Sequence, residues 1–434
     1  MADLLSLSAR IIDSGVVDEP VNRVTQEVSE VADGIAVVES FSHCVALSTP
    51  DGLVAFDSSS PFTGTRVVSS LRTWSPQPVR TLVYTHGHLD HVGGSPAFMA
   101  DAEAGGHPRP EVVAHWRVHR RLDRYRRTDG WNRIINDRQF GWLGTSDLRL
   151  TSATAQGTAR FLPVDVAEPD LTYRGSHTLA VGGVDIELHH GRGETDDHTW
   201  AWIPSHRAVC CGDYLIWNFP NAGNPQKVQR YPAEWAASLR AMAALRPELL
   251  LPAHGLPIGG AERIQTVLLD VAQVLDDLVD RCLEMMNSGA TLDQIIHSVS
   301  VPTETLARPY LRPLYDEPEF VVRNIWRLYG GWWDANPARL KPPADAALAA
   351  EVAALAGGVE TLLTRAGDLA DNGDLRLASQ LVEWATQAAP DSVEAHRARA
   401  AIYRQRHLAE SSLMAKGIFA GAARLSEART SPAE

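Results

Sequence analysis

The chain has 434 residues, of which 44% are hydrophobic and 21% charged, and its formal net charge is −13. This composition is typical of a soluble globular protein with two or three packed units, and the acidic balance argues against nucleic acid or an anionic membrane surface as the main partner. Four scattered cysteines do not suggest a disulfide framework, no stretch reaches the roughly 18 apolar residues of a membrane span, and the N-terminal residues lack a signal-peptide pattern. We therefore expect a cytoplasmic protein without membrane insertion.

The first 262 residues alternate strand-like runs with helical ones. Runs that are rich in β-branched residues and bounded by Gly, Asp or Pro predict strands. These runs are Gly34–Ser40, Cys44–Pro50, Gly52–Ser59, Pro78–His86, Gly183–His190, His198–Pro204, Ala208–Asp213 and Glu248–Gly255. Helical patterns cover Ser95–Ala104, Val113–Arg127 and Ala233–Leu245. Strands interleaved with helices indicate an α/β protein in which stacked sheets are covered by helices.

The strand pattern disappears after Gly260, and residues 263–342 predict a helical extension of the first part. Ala261–Met286 has helical spacing with aspartates on its outer face. Thr291 has the position of an N-cap for the next helix.

The Ala-rich residues 343–434, which follow a turn at Pro342–Pro343, predict an all-helical domain. Asn372–Gln405 resembles one tetratricopeptide unit, with small residues at the helix crossings. One such unit cannot bury its apolar face alone. We therefore expect a second copy of the chain to cover it in a homodimer, and packing on the chain's own first domain is the alternative.

The stretch Thr81–Gly94 holds a concentration of metal-ligand side chains. His86, His88, Asp90 and His91 form an H-x-H-x-D-H pattern directly after a predicted strand. With 16 histidines in the chain, a chance match is on the order of one in a thousand. Imidazole and carboxylate together suit zinc, with iron or manganese as alternatives, and the segment offers ligands to two metals. A set of unrelated surface histidines is the competing interpretation.

This motif, with strands on both sides, resembles that of the metallo-β-lactamase superfamily. Asp213 in C-C-G-D and His254 in P-A-H-G match later ligands of that superfamily. Glu194 stands where a histidine is usual, and this departure is expected in the alkyl sulfatase branch. Tyr329–Leu340 and Glu284–Pro302 also resemble segments of that branch.

The resemblance implies a metallo-β-lactamase αββα sandwich in residues 1–262, a helical extension that completes the catalytic unit in 263–342, and a dimerisation domain in 343–434. The sequence ends where larger alkyl sulfatases continue into a sterol-carrier-like domain, so we expect that domain to be lacking. The resemblance also implies two Zn²⁺ per subunit, bound by seven residues. These are His86, His88 and Glu194 for the first metal, Asp90, His91 and His254 for the second, and Asp213 as a bridge.

Two metals held this way lower the pKa of a shared water, so that a bridging hydroxide can attack an ester. The resemblance implies that this ester is an organic sulfate with an apolar chain, cleaved to an alcohol and inorganic sulfate. Asp90, Glu194 and Asp213 are then the catalytic carboxylates. By formal charge, two Zn²⁺ and these carboxylates leave one positive charge, one fewer than with a histidine in place of Glu194.

Substrate contacts are also implied by the resemblance, although the chain departs from the family pattern around them. Trp217 replaces a histidine, and Gln226 or Lys227 stands in place of an arginine, with Arg230 close behind. The predicted substrate-binding residues are Asn218, Asn221, Lys227, Tyr315, Arg133 and Trp217.

Three other functions stay open from the sequence. With the same metals, the substrate could be a phosphoester, a carboxylic ester or a lactone. Iron in place of zinc would suit an oxygenase or an electron-transfer protein. A metal-free binding or scaffold protein is the third, although all seven ligand positions carry ligand-type residues.

Overall fold

The computed structural model describes residues 3–141 and 160–430. Within these ranges the chain forms two compact units, one made of 3–130 with 160–332, the other of 131–141 with 333–430.

The first unit contains a seven-stranded sheet whose strand order follows the chain. Its strands are β1 (Val28–Ala32), β2 (Ile35–Val38), β3 (Cys44–Thr49), β4 (Gly52–Phe56), β5 (Val79–Val83), β6 (Glu111–His115) and β7 (Leu171–Tyr173). The pairs from β1 to β4 are antiparallel, and those from β4 to β7 are parallel. Parallel neighbours need crossover connections, and helices supply those after β4 and β5.

A second sheet of six strands completes the sandwich. Its strands are β8 (Ser176–Val181), β9 (Val184–His190), β10 (Thr199–Ile203), β11 (Ala208–Gly212), β12 (Leu249–Pro252) and β13 (Ile258–Gly259). They lie in the order β13-β12-β11-β10-β9-β8, and only the β11–β12 pair among them is parallel. One apolar core joins the inner faces of both sheets, with Leu47 and Val54 from the first and Ile186, Leu188 and Ile203 from the second. The predicted stacking of sheets is confirmed.

Helices cover the sheets and extend the first unit towards its C-terminal end. They are α1 (Leu4–Ser14), α2 (Gly64–Trp74), α3 (Leu89–Val92), α4 (Ser95–Ala104), α5 (Arg117–Arg127), α6 (Asp129–Phe140, which enters the second unit at Trp131), α7 (Pro232–Ala244), α8 (Ala261–Asn287), α9 (Leu292–Ile296), α10 (Thr303–Leu306) and α11 (Pro318–Gly330). Thr291 caps α9 as predicted, through a capping box with Gln294.

The predicted helix Val113–Arg127 is wrong in its first residues. Glu111–His115 is strand β6, and α5 begins only at Arg117. Val112 and Val113 are fully buried in the sheet, where β6 pairs with both β5 and β7. The β-branched side chains suit that position, whereas the helical spacing of the arginines that follow does not show where the strand ends.

The second unit is helical throughout its described residues. After the start in α6, it contains α12 (Asp345–Ala356), α13 (Val359–Asp371), α14 (Leu375–Ala388), α15 (Val393–Ala409) and α16 (Leu413–Thr430). Small buried residues such as Ala366, Ala378 and Ala385 form much of its core and allow the helices to approach closely. In the described chain no single helix could span a membrane, and only the bent pair α12–α13 has the combined length and composition.

Candidate metal centre

The H-x-H-x-D-H segment lies in the connection between β5 and α4. His86 and His88 are in the turn after the strand, and Asp90 and His91 are on the one-turn helix α3. The rings of His86 and His88 are 4.5 Å apart, and those of His86 and His91 are 4.0 Å apart. One turn of chain therefore presents three imidazoles and a carboxylate to a single region.

Three further side chains reach this region from the second sheet. Glu194 lies between β9 and β10, Asp213 directly follows β11, and His254 follows β12. The parallel pairing of β11 and β12 brings their carboxyl ends to the same edge of the sheet. All seven residues that the sequence predicted as ligands therefore lie in segments that follow strands, with Asp90 and His91 on the short helix α3.

The seven side chains form two groups with metal-ligand spacing. In each group the potential ligand atoms lie within 4.8 Å of one another. The groups are His86, His88, Glu194 and Asp213, and Asp90, His91 and His254.

Asp213 stands between the two groups. Its Oδ2 is 3.3 Å from His91 Nε2 and 3.8 Å from His86 Nε2, and its Oδ1 is 3.7 Å from His254 Nε2. Its Oδ2 thus faces one histidine of each group and its Oδ1 faces the second group, which is the position expected of a bridging ligand.

The donor set fits a pair of divalent cations. Nitrogen and oxygen donors at this spacing suit zinc, and the two groups provide four and three donors. His91 Nε2 and Asp213 Oδ1 are buried yet have no hydrogen bond. Buried polar atoms of this kind are costly unless a partner such as an ion satisfies them.

Burial also favours the neutral form of two of the predicted ligand histidines. Burial lowers the pKa of His86 and His88 well below the usual value, so both are neutral, as metal binding requires. Burial, with Asp213 and Asp90 nearby, raises the pKa of Glu194 well above its usual value, although Arg230 opposes the shift. Crowded carboxylates therefore carry a repulsion that bound cations would relieve.

Asp57 is a further residue of the centre that sequence reasoning missed. It follows β4, and its carboxylate accepts hydrogen bonds from the Thr85 N–H, the Thr85 hydroxyl and His91 Nδ1, each at 2.8 Å. Because His91 Nδ1 is bound, its Nε2 is left to face Asp213 and Asp90. The sequence could have indicated this role, because Asp57 comes directly after strand β4, which runs parallel to the strand β5 that precedes His86.

A buried ion pair holds the turn between the first two histidines. Asp197 Oδ2 accepts hydrogen bonds from the Gly87 N–H at 3.1 Å and from Arg121 Nε at 2.8 Å. A side chain at Gly87 would begin 2.9 Å from Arg121 Cδ and 3.0 Å from Asp197 Oδ2. Glycine is therefore needed for this close approach. His198 is also fully buried beside the cluster, and its Nε2 accepts a hydrogen bond from the Asp213 N–H at 3.2 Å.

Two side chains hold the Glu194 carboxylate. Asn221, predicted to bind substrate, donates through Nδ2 to Glu194 Oε1. Arg230 Nη2 is 3.3 Å from the same oxygen, and Arg230 Nη1 donates to the Glu194 carbonyl. Glu194 Oε1 in turn lies 3.7 Å from His88 Nδ1.

The chain matches two known protein families. Residues 38–254, half of the chain, match the metallo-beta-lactamase superfamily, and residues 291–428 match the alkyl sulfatase dimerisation family. The chain belongs to the metallo-β-lactamase superfamily. The αββα sandwich followed by a helical region, predicted from the sequence, is confirmed.

Several relatives carry sulfatase names. A linear primary-alkylsulfatase from a Pseudomonas species is 26% identical over 370 residues, which are 83% of this chain and 69% of that protein. An (R)-specific secondary-alkylsulfatase from Pseudomonas is 26% identical over 75% of this chain and 50% of its own length. An alkyl/aryl-sulfatase of Saccharomyces cerevisiae is 24% identical over 80% of this chain and 55% of its own length. The chain thus spans between half and about two thirds of these relatives.

A solved structure shares the fold over nearly the whole chain. The stereoselective inverting sec-alkylsulfatase of a Pseudomonas species superposes with a TM-score of 0.80 at 23% identity. The match covers 94% of this chain and 66% of the other.

The predicted substrate residues of this superfamily member occupy different environments. Trp217 is fully buried, has a positive φ of 53° and donates its indole N–H to the Leu256 carbonyl at 2.7 Å. It packs against Gly255, so it supports the turn that carries His254. Asn218 is half-buried and donates to the Ile216 carbonyl.

The other predicted substrate residues are partly accessible. Lys227 and Tyr315 are half-buried in the first unit, and Arg133 is half-buried on α6 in the second. Burial, with a contribution from Arg230, lowers the pKa of Lys227 to about 7, while Asp90 and Glu194 oppose the shift.

Arg124 is a cation that the sequence reasoning missed. It lies one turn beyond Arg121 on α5 and is half-buried. Within the described residues its guanidinium has no hydrogen bond or ion pair, and burial lowers its pKa, as do Arg121 and Arg230. Its charge also contributes to the lowered pKa of Lys227. Arg124 and Lys227 therefore share one electrostatic environment.

Proposed function

We propose that the chain hydrolyses organic sulfate esters with an apolar chain, releasing an alcohol and inorganic sulfate. The observation that carries this proposal is the seven-residue cluster, in which two ligand groups meet at Asp213. The metal chemistry rests on that cluster, and the choice of ester rests on similarity to proteins named alkylsulfatases. Fold alone does not select a substrate.

Each metal has a proposed set of ligands. His86, His88 and Glu194 hold the first cation, Asp90, His91 and His254 hold the second, and Asp213 bridges them. We propose zinc for both, with iron or manganese as alternatives. When bound, such a pair activates water and polarises an ester oxygen.

The chain itself must supply positive charge to hold the sulfate group. Arg121 and Arg230 are engaged by Asp197 and Glu194, so they are not available for this task. Arg124 has no described partner, and it acts on the same environment as Lys227. We therefore assign recognition of the anionic group to Arg124 and Lys227, in place of the arginine expected near residue 226.

The decisive experiment is a hydrolysis screen with zinc-loaded protein. Dodecyl sulfate and secondary alkyl sulfates are compared with matched phosphoesters, carboxylic esters and lactones, and ¹⁸O-labelled water locates the cleaved bond. We expect sulfate release from alkyl sulfates, with loss of metal and of activity in Glu194→Gln. No sulfate release alongside rapid turnover of another ester would refute the sulfatase assignment while leaving the metal assignment intact.

The anion assignment has a matched control on the same helix. Arg124→Met should raise the KM for an alkyl sulfate by about tenfold or more, since a hydrogen bond to a charged group contributes roughly 1.5–3 kcal/mol. Arg127, exposed in the last turn of α5, provides the control. Equal kinetics of Arg124→Met and Arg127→Met would show that Arg124 does not bind the sulfate group.

We also propose that residues 1–262 and 263–342 form the catalytic part and that residues 343–434 mediate a homodimer. Leu355, Leu408 and Leu425 in the second unit are 81%, 77% and 66% exposed. A partner subunit would remove such apolar side chains from water, which favours a dimer. Light scattering should give twice the chain mass, and a monomer at micromolar concentration would exclude the dimer. The cytoplasmic location stays a prediction from the sequence.

A further inference from the structure

Arg230 is a fully buried cation that none of the predicted roles explains. It is 1% exposed and lies between β11 and α7. Its guanidinium contacts Glu194 at two points, the main-chain carbonyl through Nη1 and the carboxylate Oε1 through Nη2 at 3.3 Å. A planar guanidinium bound to two oxygens of one residue fixes the direction of that residue's side chain.

The main chain of Arg230 is itself held by helix α11. Asn324 accepts from the Arg230 N–H at 3.3 Å and donates to the Arg230 carbonyl at 3.0 Å. Gln229 Nε2 adds a hydrogen bond to Asn324 Oδ1 at 2.9 Å. Asn324 is buried, and through Arg230 it connects the helical extension to the predicted metal ligand Glu194.

Charge gives the contact a second consequence. Glu194 takes a position at which a neutral histidine would leave the metal centre one unit more positive. The guanidinium of Arg230, in ion-pair contact with Glu194, returns that unit. The pair Glu194–Arg230 therefore has the same formal charge as a single neutral histidine. The metal centre is one unit less positive than a centre with histidine at position 194 only when Arg230 is left out of the count.

We propose that Arg230 is a positioning residue for the first metal. It aims the Glu194 carboxylate at His86 and His88 and offsets the charge that a carboxylate ligand adds. This inference rests on the metal part of the proposed function and is independent of the ester.

The test measures zinc rather than turnover. Full-length protein is loaded with zinc, and the transfer of each equivalent to a chromogenic chelator is followed over time. Arg230→Met should release one of the two equivalents about tenfold faster or more, since removing a residue that supports a ligand typically lowers metal affinity about 10- to 100-fold. Arg230→Lys should behave in the same way, because lysine lacks the rigid planar fork with which arginine contacts both oxygens. Arg323→Met is the control, since Arg323 is exposed on α11 and pairs with Glu319.

A second pair of variants separates this role from general destabilisation. Glu194→His alone leaves the Arg230 cation buried beside a neutral ligand and two metals, so we expect loss of the first zinc. Adding Arg230→Met to Glu194→His removes that cation and should restore slow release. If Arg230→Met alone does not fold, the comparison of these two proteins still decides.

The inference is overturned if Arg230→Met keeps both equivalents at the unaltered rate, or if Glu194→His holds zinc equally well with and without Arg230→Met. An unaltered protein that binds no zinc overturns both this inference and the metal part of the proposed function. An inactive protein with slow zinc release would refute only the ester assignment.

Discussion

Asp197→Asn tests how the turn that carries His86 and His88 is held in place. Asp197 is fully buried and accepts hydrogen bonds from Arg121 and from the Gly87 N–H. The substitution removes one charge of a buried ion pair while keeping the shape of the side chain. Arg121 then faces its one remaining carboxylate, Asp196, at 2.7 Å.

The expected loss follows from these contacts. Removing one partner of a buried ion pair costs about 3–5 kcal/mol because the other charge stays uncompensated. Asp196 still compensates part of the Arg121 charge, and the amide oxygen of asparagine can still accept one hydrogen bond. We therefore expect the free energy of unfolding of the first unit to fall by about 2–3 kcal/mol.

The assay is urea unfolding of the metal-free protein in EDTA, followed by tryptophan fluorescence, so that metal binding does not contribute. With a typical slope of about 2 kcal/mol per molar urea, the midpoint should fall by about 1 M. Asp196→Asn is the matched control, because Asp196 binds the same arginine but its side chain is 38% exposed. Because the Asp196 carboxylate is largely solvated in the folded protein, we expect its substitution to cost only about 0–1 kcal/mol.

Two results would refute this reasoning. Equal midpoints for Asp197→Asn and Asp196→Asn would show that burial of the pair does not decide its contribution. An unchanged midpoint for Asp197→Asn, combined with unaltered zinc retention, would show that the turn is held by other contacts.

Two further predictions concern other parts of the molecule. Gly417→Ala on α16 should lower the melting temperature of the second unit, because a Cβ there would lie 1.9 Å from the Gln139 carbonyl oxygen. Gly421→Ala is the control and should be tolerated, because its Cβ would lie 3.6 Å from the nearest atom. Similar melting temperatures of the two variants in circular dichroism would contradict this prediction. Burial raises the pKa of Asp316 to about 6, so the native state retains a proton that the unfolded chain releases above about pH 4, and stability falls as pH rises between these values. Asp316→Asn should remove up to ~3 kcal/mol of that pH dependence in urea unfolding at pH 4 and pH 7, and identical pH profiles of the two proteins would refute the assignment.

Contacts made over long sequence separations are the part that sequence reasoning missed. Asp57 and His91 are 34 residues apart, Arg230 and Glu194 are 36 apart, and Arg121 and Asp197 are 76 apart. No local pattern links such pairs, because strands, helices and loops from different parts of the chain bring them together only when the chain has folded.

Local patterns were sufficient where the chemistry is contiguous in the chain. His86, His88 and His91 could be recognised together because one turn of chain carries them, and Thr291 could be recognised as a cap because its partner is three residues away. The sequence by itself thus determined the sandwich, the helical extension and the candidate ligands. Only the tertiary structure decided that Trp217 is buried and that Arg230 binds Glu194, since burial and charge pairing depend on neighbours that the folded chain brings together.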